Sequence, residues 1–309
     1  MPASKKNIAR SFRASIRGPG GFTLIELLVV LAVIALLMAI LVPYLRASRE
    51  EARKIKCVAN LRSILQASGM YVDDQEGQQL YPWYQVPPHQ GYRPSVVTPW
   101  VFGGFRAPKP ERDSEFMDSA LYPAQVRPLN KYVDPTAFAE PFDRKDRGRD
   151  IIKTYICPSD RTNSTTFIGD PGEPVEEWEP RTSWEANGSS FTLNTRWLQG
   201  YVGFDFSRVI HNPDRFSELS SRIARHIVGG NASQFILWAE QGFYGATYNA
   251  KPENHNKDAP PSIPQIEGWH QGFSSWSVGF ADGHVSHGFF DTRGIYGLGG
   301  TIWQPAMRD

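Results

Sequence analysis

Residues 21–43 read GFTLIELLVVLAVIALLMAILVP, an apolar stretch that carries a single carboxylate, Glu26. From Phe22 to Val42 it runs 21 residues, which as a helix rises about 31 Å and so just crosses a hydrocarbon core. Thr23 and Glu26 are its only polar positions, and from Leu27 to Val42 every residue is apolar. A charge at the centre of such a helix costs roughly 2.5–3.5 kcal/mol on insertion scales, and charges kept in membrane spans usually have a dedicated partner. Glu26 is therefore read as a functional residue.

The 21 residues before Phe22 contain Lys5, Lys6, Arg10, Arg13 and Arg17 and no acid. With those five set aside, 28 of the 33 cationic residues face 32 acids, so the remainder is mildly acidic. A basic leader stays cytoplasmic, and the chain beyond it is translocated. Three readings of the run compete. A secretory signal would be cut beyond its apolar core at a small-x-small site, yet Pro43-Tyr44-Leu45-Arg46-Ala47 offers none at the right spacing. An uncleaved anchor explains the length and leaves Glu26 unexplained. A cut after Gly21 explains both, because it frees an amine at Phe22 about 6 Å along the helix from Glu26. In a low dielectric, that amine and the carboxylate can neutralise each other between neighbouring subunits. This third reading is preferred.

The stretch resembles the N-terminus of type IV prepilins and type II secretion pseudopilins. The resemblance implies a prepilin peptidase that cuts after Gly21, methylation of Phe22, and a role in assembly for Glu26, the fifth residue of the mature chain. Pro43 matches the proline that often bends these helices. The partners so implied are the peptidase, sister subunits, an inner-membrane assembly platform and the inner membrane itself.

Beyond Tyr44 the pattern turns periodic. Leu45, Ala52, Ile55, Val58, Ala59, Leu61, Ile64 and Leu65 alternate with Arg46, Arg49, Glu50, Arg53, Lys54, Lys56 and Arg62, which predicts an amphipathic helix continuous with the span. It should end near Asp73-Asp74-Gln75-Glu76-Gly77. The rest is long enough for one substantial core. Phe235–Ala239 and Trp276–Phe280 read as buried strands, and the Asp282-Gly283 pair predicts a tight hairpin after the second. Segments 84–110 and 250–265 are Pro-rich and predict loops; Asp143–Arg147 reads as a solvated loop. The expected fold is α+β and pilin-like, a long N-terminal helix packed on a head that contains an antiparallel sheet. Its parts are a leader at 1–21, a helix at 22–74 (transmembrane over 22–42) and an extracytoplasmic head at 75–309.

The head carries a second resemblance. Cys57-Val58-Ala59-Asn60-Leu61-Arg62, Tyr71-Val72-Asp73-Asp74 with Gly77 and Pro82, Cys157-Pro158-Ser159-Asp160, and the motif Asp282, Gly283, His284 within Phe280–Val285 are similar to prepilin-like proteins of planctomycete-type bacteria. Those proteins bear a C-terminal His…Asp-Gly motif. Nine residues usually separate its histidine from Asp-Gly, whereas eleven lie between His270 and Asp282.

Candidate chemistry in the head is sparse. Cys57 and Cys157 lie on the part expected outside the cytoplasm, where a disulfide closing about 100 residues is permitted; two buried free thiols are the alternative. A metal site would draw on Asp282, His284, His287 and His270, at spacings outside the strong zinc patterns. Asp73, Asp74 and Glu76 lack the alternation of a calcium loop. Trp178, Trp184, Trp269 and Trp276 are candidates for a glycan-binding face, or else core residues. The mildly acidic mature chain argues against nucleic acid. No phosphate loop, nucleophile elbow or carboxylate pair appears, so neither catalysis nor a cofactor is expected. The predicted function is that of a structural subunit of a type II secretion or type IV pilus-like assembly. The alternative is a tethered protein that captures polysaccharide or another ligand through its aromatic-rich head.

Overall fold

The computed structural model describes residues 23–74, 102–107, 122–136, 151–161, 182–194, 221, 232–243, 268–270 and 275–290. The Pro-rich segment 250–265, most of 84–110, and Asp143–Arg147 lie outside them. The chain divides into two compact units, Met1–Arg49 and Glu50–Asp309. Helix α1, Leu24–Asp74, is continuous through Pro43 and stops where the acids predicted. Within the first unit every described residue is exposed, the apolar run included.

From Glu50 onward α1 buries one stripe: Glu50, Cys57, Asn60, Leu61, Ile64, Leu65, Ala67, Ser68 and Tyr71. Steps of seven, four and three place these on one face. The stripe differs from the sequence reading, since Ala52, Ile55 and Ala59 point outward. Apolar counting found Leu61, Ile64 and Leu65 of the buried face and missed three of its polar members, Glu50, Asn60 and Ser68. Each is buried with a partner. Asn60 donates from Nδ2 to the Ile156 carbonyl at 2.9 Å, and Ser68 accepts from Trp238 Nε1 at 2.9 Å.

The head contributes an antiparallel sheet in the order β1-β2-β3-β4, with β1 Phe191–Leu193, β2 Ile236–Glu240, β3 Ser275–Phe280 and β4 Val285–Phe289. The two predicted strands are β2 and β3, and β2 is buried along its whole length. Between Ile236 and Trp238 the register shifts, the mark of a bulge, and Leu237 and Trp238 join the same core cluster. That cluster unites Cys57, Leu61, Ile64 and Leu65 of α1 with Phe191, Leu193 and Trp269. A smaller one gathers Ile236, Ala239, Phe243, Trp276, Val278 and Phe280. Leu65 packs against the bare backbone of Gly279 in β3, where a Cβ would collide with it. Such an architecture, a long N-terminal apolar helix with an antiparallel four-stranded sheet, is α+β and consistent with a pilin-like fold.

Short helices at Asn130–Val133 (α2) and Ser183–Asn187 (α3), with 3-10 turns at Ala124–Val126 and Lys153–Tyr155, complete the described head. Buried Arg127 donates to the Tyr122 carbonyl at 3.2 Å and the Gly103 carbonyl at 2.9 Å. α3 opens with a capping box between Thr182 and Glu185 and closes at Gly188, whose φ is 75°. The Phe105 amide donates to the Gly188 carbonyl at 2.9 Å. A Cβ at Gly188 would strike the Phe105 carbonyl, so only glycine fits this left-handed cap.

Candidate functional site

Among the described residues, two places concentrate chemistry. The first is the start of α1. Thr23 is its cap: its hydroxyl accepts from the Glu26 amide at 3.2 Å, while Glu26 Oε2 accepts from the Thr23 amide and hydroxyl, both at 2.8 Å. That reciprocal pair is a capping box. Its Thr-x-x-Glu spacing is visible in the sequence, where the charge of Glu26 overshadows it. Gly21 and Phe22 lie outside the described residues. Beyond the box, large apolar side chains from Leu24 at 79% exposure to Val42 at 41% stand free of protein cover. The segment is long and apolar enough to cross a membrane, and with its motif it has the character of a single-pass anchor.

Residues 16–42 match the family described as the prokaryotic N-terminal methylation motif. At its N-terminus the chain is type IV prepilin-like. A curated relative, the type IV wide pilus major component PilA4 of Thermus thermophilus, is 44% identical over 59 residues. The match takes in 19% of this chain and spans 45% of the relative, less than half its length. No solved structure matches the chain significantly. The methylation-motif match thus lies at the N-terminus, and the described part of the head is read from its own geometry.

The second place is a buried polar cluster in the head. Glu50 Oε1 accepts from the Ser159 hydroxyl and faces His270 Nδ1 at 3.2 Å; its Oε2 accepts from Arg161 Nη2 at 2.9 Å. On the other side of the ring, His270 Nε2 lies 3.1 Å from Glu240 Oε1 and 3.7 Å from Cys157 Sγ. The side chains of His270 and Glu240 are fully buried. Burial opposes charge on His270, but the hydrogen bonds and negative charge of Glu240 and Glu50 outweigh it and hold the imidazolium above its ordinary range. Burial likewise pushes Glu50 up, and the Ser159 and His270 hydrogen bonds with the Arg161 charge bring it below the usual carboxylate range. His287 packs edge-on against His270, ring centres 5.2 Å apart, and meets the hydroxyls of Ser275 at 3.1 Å and Ser277 at 3.0 Å. Burial lowers its pKa.

The structure joins Cys57 to Cys157 in a disulfide with Cα atoms 5.0 Å apart. Two buried contacts set this approach. Asn60, one turn along α1 from Cys57, holds the Ile156 carbonyl, and the Cys157 amide donates to Ser190 Oγ at 3.1 Å. The Ser190 hydroxyl in turn donates to Asp160 at 2.6 Å. Burial pushes Asp160 up to about 7, against the Ser190 bond and the Ser183 and Trp184 amides that favour its anion.

Asp282, Gly283 and His284 form the predicted hairpin turn. Gly283 has φ 91°, its amide reaches the Phe280 carbonyl at 2.9 Å, and the Phe280 amide donates to the His284 carbonyl at 2.9 Å. Asp282 Oδ1 accepts from the His284 amide at 3.1 Å and meets His284 Nδ1 at 2.5 Å, while the imidazole stacks on Phe280 at 4.1 Å. The metal set drawn from the sequence does not assemble. Asp282 and His284 serve the exposed turn, and His287 turns instead toward His270 and two serines. Of the two readings of the tryptophans, the core one holds for Trp269 and Trp276, which are 4% and 1% exposed. Trp184 is half-buried beside Phe105, and Trp178 lies outside the described residues. Sequence reasoning missed Glu50, Glu240 and Asp160. Each looks like an ordinary surface acid in one dimension, and only Glu240, ending an otherwise apolar strand, carried a signal.

Proposed function

We propose that the chain is a structural subunit of a type IV pilus-like or type II secretion assembly, inserted in the inner membrane by α1 with its head outside the cytoplasm. The observation that carries this reading is the bare apolar surface of residues 24–42 beneath a methylation motif. At about 25 cal/mol per Å², that surface needs cover, and lipid first and sister helices later supply it. Prepilin peptidase cuts after Gly21 and methylates Phe22. The freed amine of one subunit then meets the Glu26 carboxylate of a neighbour, which is why an acid is retained in a membrane-length helix. The sequence similarity to a pilus component, 44% identical over 59 residues, supports the same reading. A structural role, rather than a catalytic one, fits it.

The capping box supplies a rival role for Glu26, and one substitution separates the two. Glutamine keeps the box, its amide oxygen accepting from the Thr23 amide in place of the carboxylate, but removes the charge. Glu26→Ala and Glu26→Gln should both insert normally and both fail to assemble, as read by shearing or cross-linking of filament from cells. If Glu26→Gln assembles like the parent while Glu26→Ala does not, the carboxylate serves only as a cap and the amine pairing is refuted.

A further inference from the structure

We propose that Cys57, Cys157, His270 and Glu240 form a site for a borderline-soft divalent metal such as zinc when the cysteines are in the dithiol state, so that the disulfide and the metal are alternative occupants of one place. The four candidate donor atoms all lie within 4.8 Å of one another. A tetrahedral zinc site has donor–donor edges of about 3.3–3.8 Å, from metal–sulfur and metal–nitrogen distances of about 2.3 and 2.0 Å. Reduction lets the sulfurs part toward that spacing, while the nitrogen and oxygen donors have about 1 Å or less to move in. Two thiolates, an imidazole and a carboxylate are also the donor types this class of ion prefers.

Two further observations point to a ligand. Glu240 Oε2 is buried and has no hydrogen-bond partner among the described residues, a costly state for a carboxylate oxygen that a cation would relieve. His270 is oriented in the manner of a metal-binding histidine: Nδ1 faces the Glu50 carboxylate at 3.2 Å, leaving Nε2 turned toward Cys157 and Glu240. A carboxylate behind the ring fixes the tautomer and raises the basicity of the donor nitrogen. Glu50 is itself held by Ser159 and Arg161, so the support is rigid. Glu50 is thus a positioning residue for the site.

Exchange between the two occupants is a two-electron reaction. A dithiol reductant passes two electrons and two protons to the Cys57–Cys157 bond, giving two thiols and the reductant's own disulfide. The ion then displaces a proton from each thiol and the proton that His270 Nε2 shares with Glu240. Oxidation by a disulfide donor reverses this and expels the ion, since the sulfurs of a disulfide are no longer thiolates. The chain would carry the metal before its cysteines are oxidised and lose it afterwards.

The test uses the full chain in detergent micelles, reduced with a phosphine, freed of metal and titrated with cobalt(II). The expected result is saturation at one ion per chain, with thiolate-to-cobalt charge-transfer bands and the intense visible bands of a tetrahedral ion, both abolished by added zinc. The oxidised chain should show neither. Glu50→Gln should weaken binding by about 10–100-fold, and His270→Ala and Glu240→Gln by at least tenfold. Absence of thiolate–cobalt bands in the reduced chain overturns the proposal, whether the chain stays folded by near-ultraviolet circular dichroism or not. Equal affinity in the parent, His270→Ala and Glu240→Gln chains also overturns it, because two thiols alone would then be holding the ion.

Discussion

Replacing both cysteines, Cys57→Ala with Cys157→Ala, tests how far the cross-link stabilises the head. The bond closes a loop of 100 residues, which in the chain-entropy model removes about 4.7 kcal/mol of freedom from the unfolded state. For a domain of this size, 1 kcal/mol moves Tm by about 2–4 °C, so the fall should be about 9–19 °C. The variant should still fold. Leu61, Ile64 and Leu65 are each at most 4% exposed and contribute about 1.5–3 kcal/mol apiece to docking the second half of α1. Near-ultraviolet circular dichroism of the tryptophan-rich head gives the melting curve. The reduced parent is measured alongside, to separate loss of the cross-link from loss of two buried sulfurs. A Tm within 2–3 °C of the oxidised parent, where about 9 °C or more is expected, would refute the idea that this loop closure constrains the unfolded chain.

Ser68→Ala should cost about 1–3 kcal/mol, since it leaves the buried Trp238 Nε1 donor without its acceptor; urea unfolding measures this, and a change below about 0.5 kcal/mol would contradict it. The head should be more stable near pH 6.5 than near pH 8. His270 is raised above its ordinary 6.5 and Asp160 above its ordinary 3.8 to about 7, so the stability each contributes is complete below its unfolded value and is lost as pH climbs through its folded one. Glu50, held below 4.5, and His287, held below 6.5 by burial, work the other way and withdraw stability as the solution becomes more acid than those values. Melting curves at pH 6.5 and 8, where the opposing effect of His287 is smallest, that coincide would rule out the His270 and Asp160 environments described above. Gly21→Asp should leave an uncut precursor that migrates above the parent on a gel, whereas mass spectrometry of the parent from cells should find N-methylphenylalanine at its start. Equal mobility would remove the processing claim.

Much of the head's outline could be read in one dimension. The buried strands β2 and β3 appear as apolar runs, and Asp282-Gly283 marks the turn between β3 and β4 because a residue with φ of 91° must be glycine or pay for strain. The strand β1 escaped notice, and β4 was implied only by its turn, for physical reasons. Phe191–Leu193 is too short to show a period, and Val285–Phe289 is half-exposed, with Ser286, His287 and Gly288 diluting its apolar signal.

What the sequence alone determined is the membrane-length helix, the basic residues before it and its lone acid, since length, hydropathy and charge order act along the chain and need no third dimension. Burial of Glu50, its link through His270 to Glu240, and the meeting of Cys57 with Cys157 were decided only by tertiary structure. Those residues lie up to 220 positions apart. Their proximity follows from the packing of α1 on the sheet, where polar side chains were drawn inside because partners were there to satisfy them.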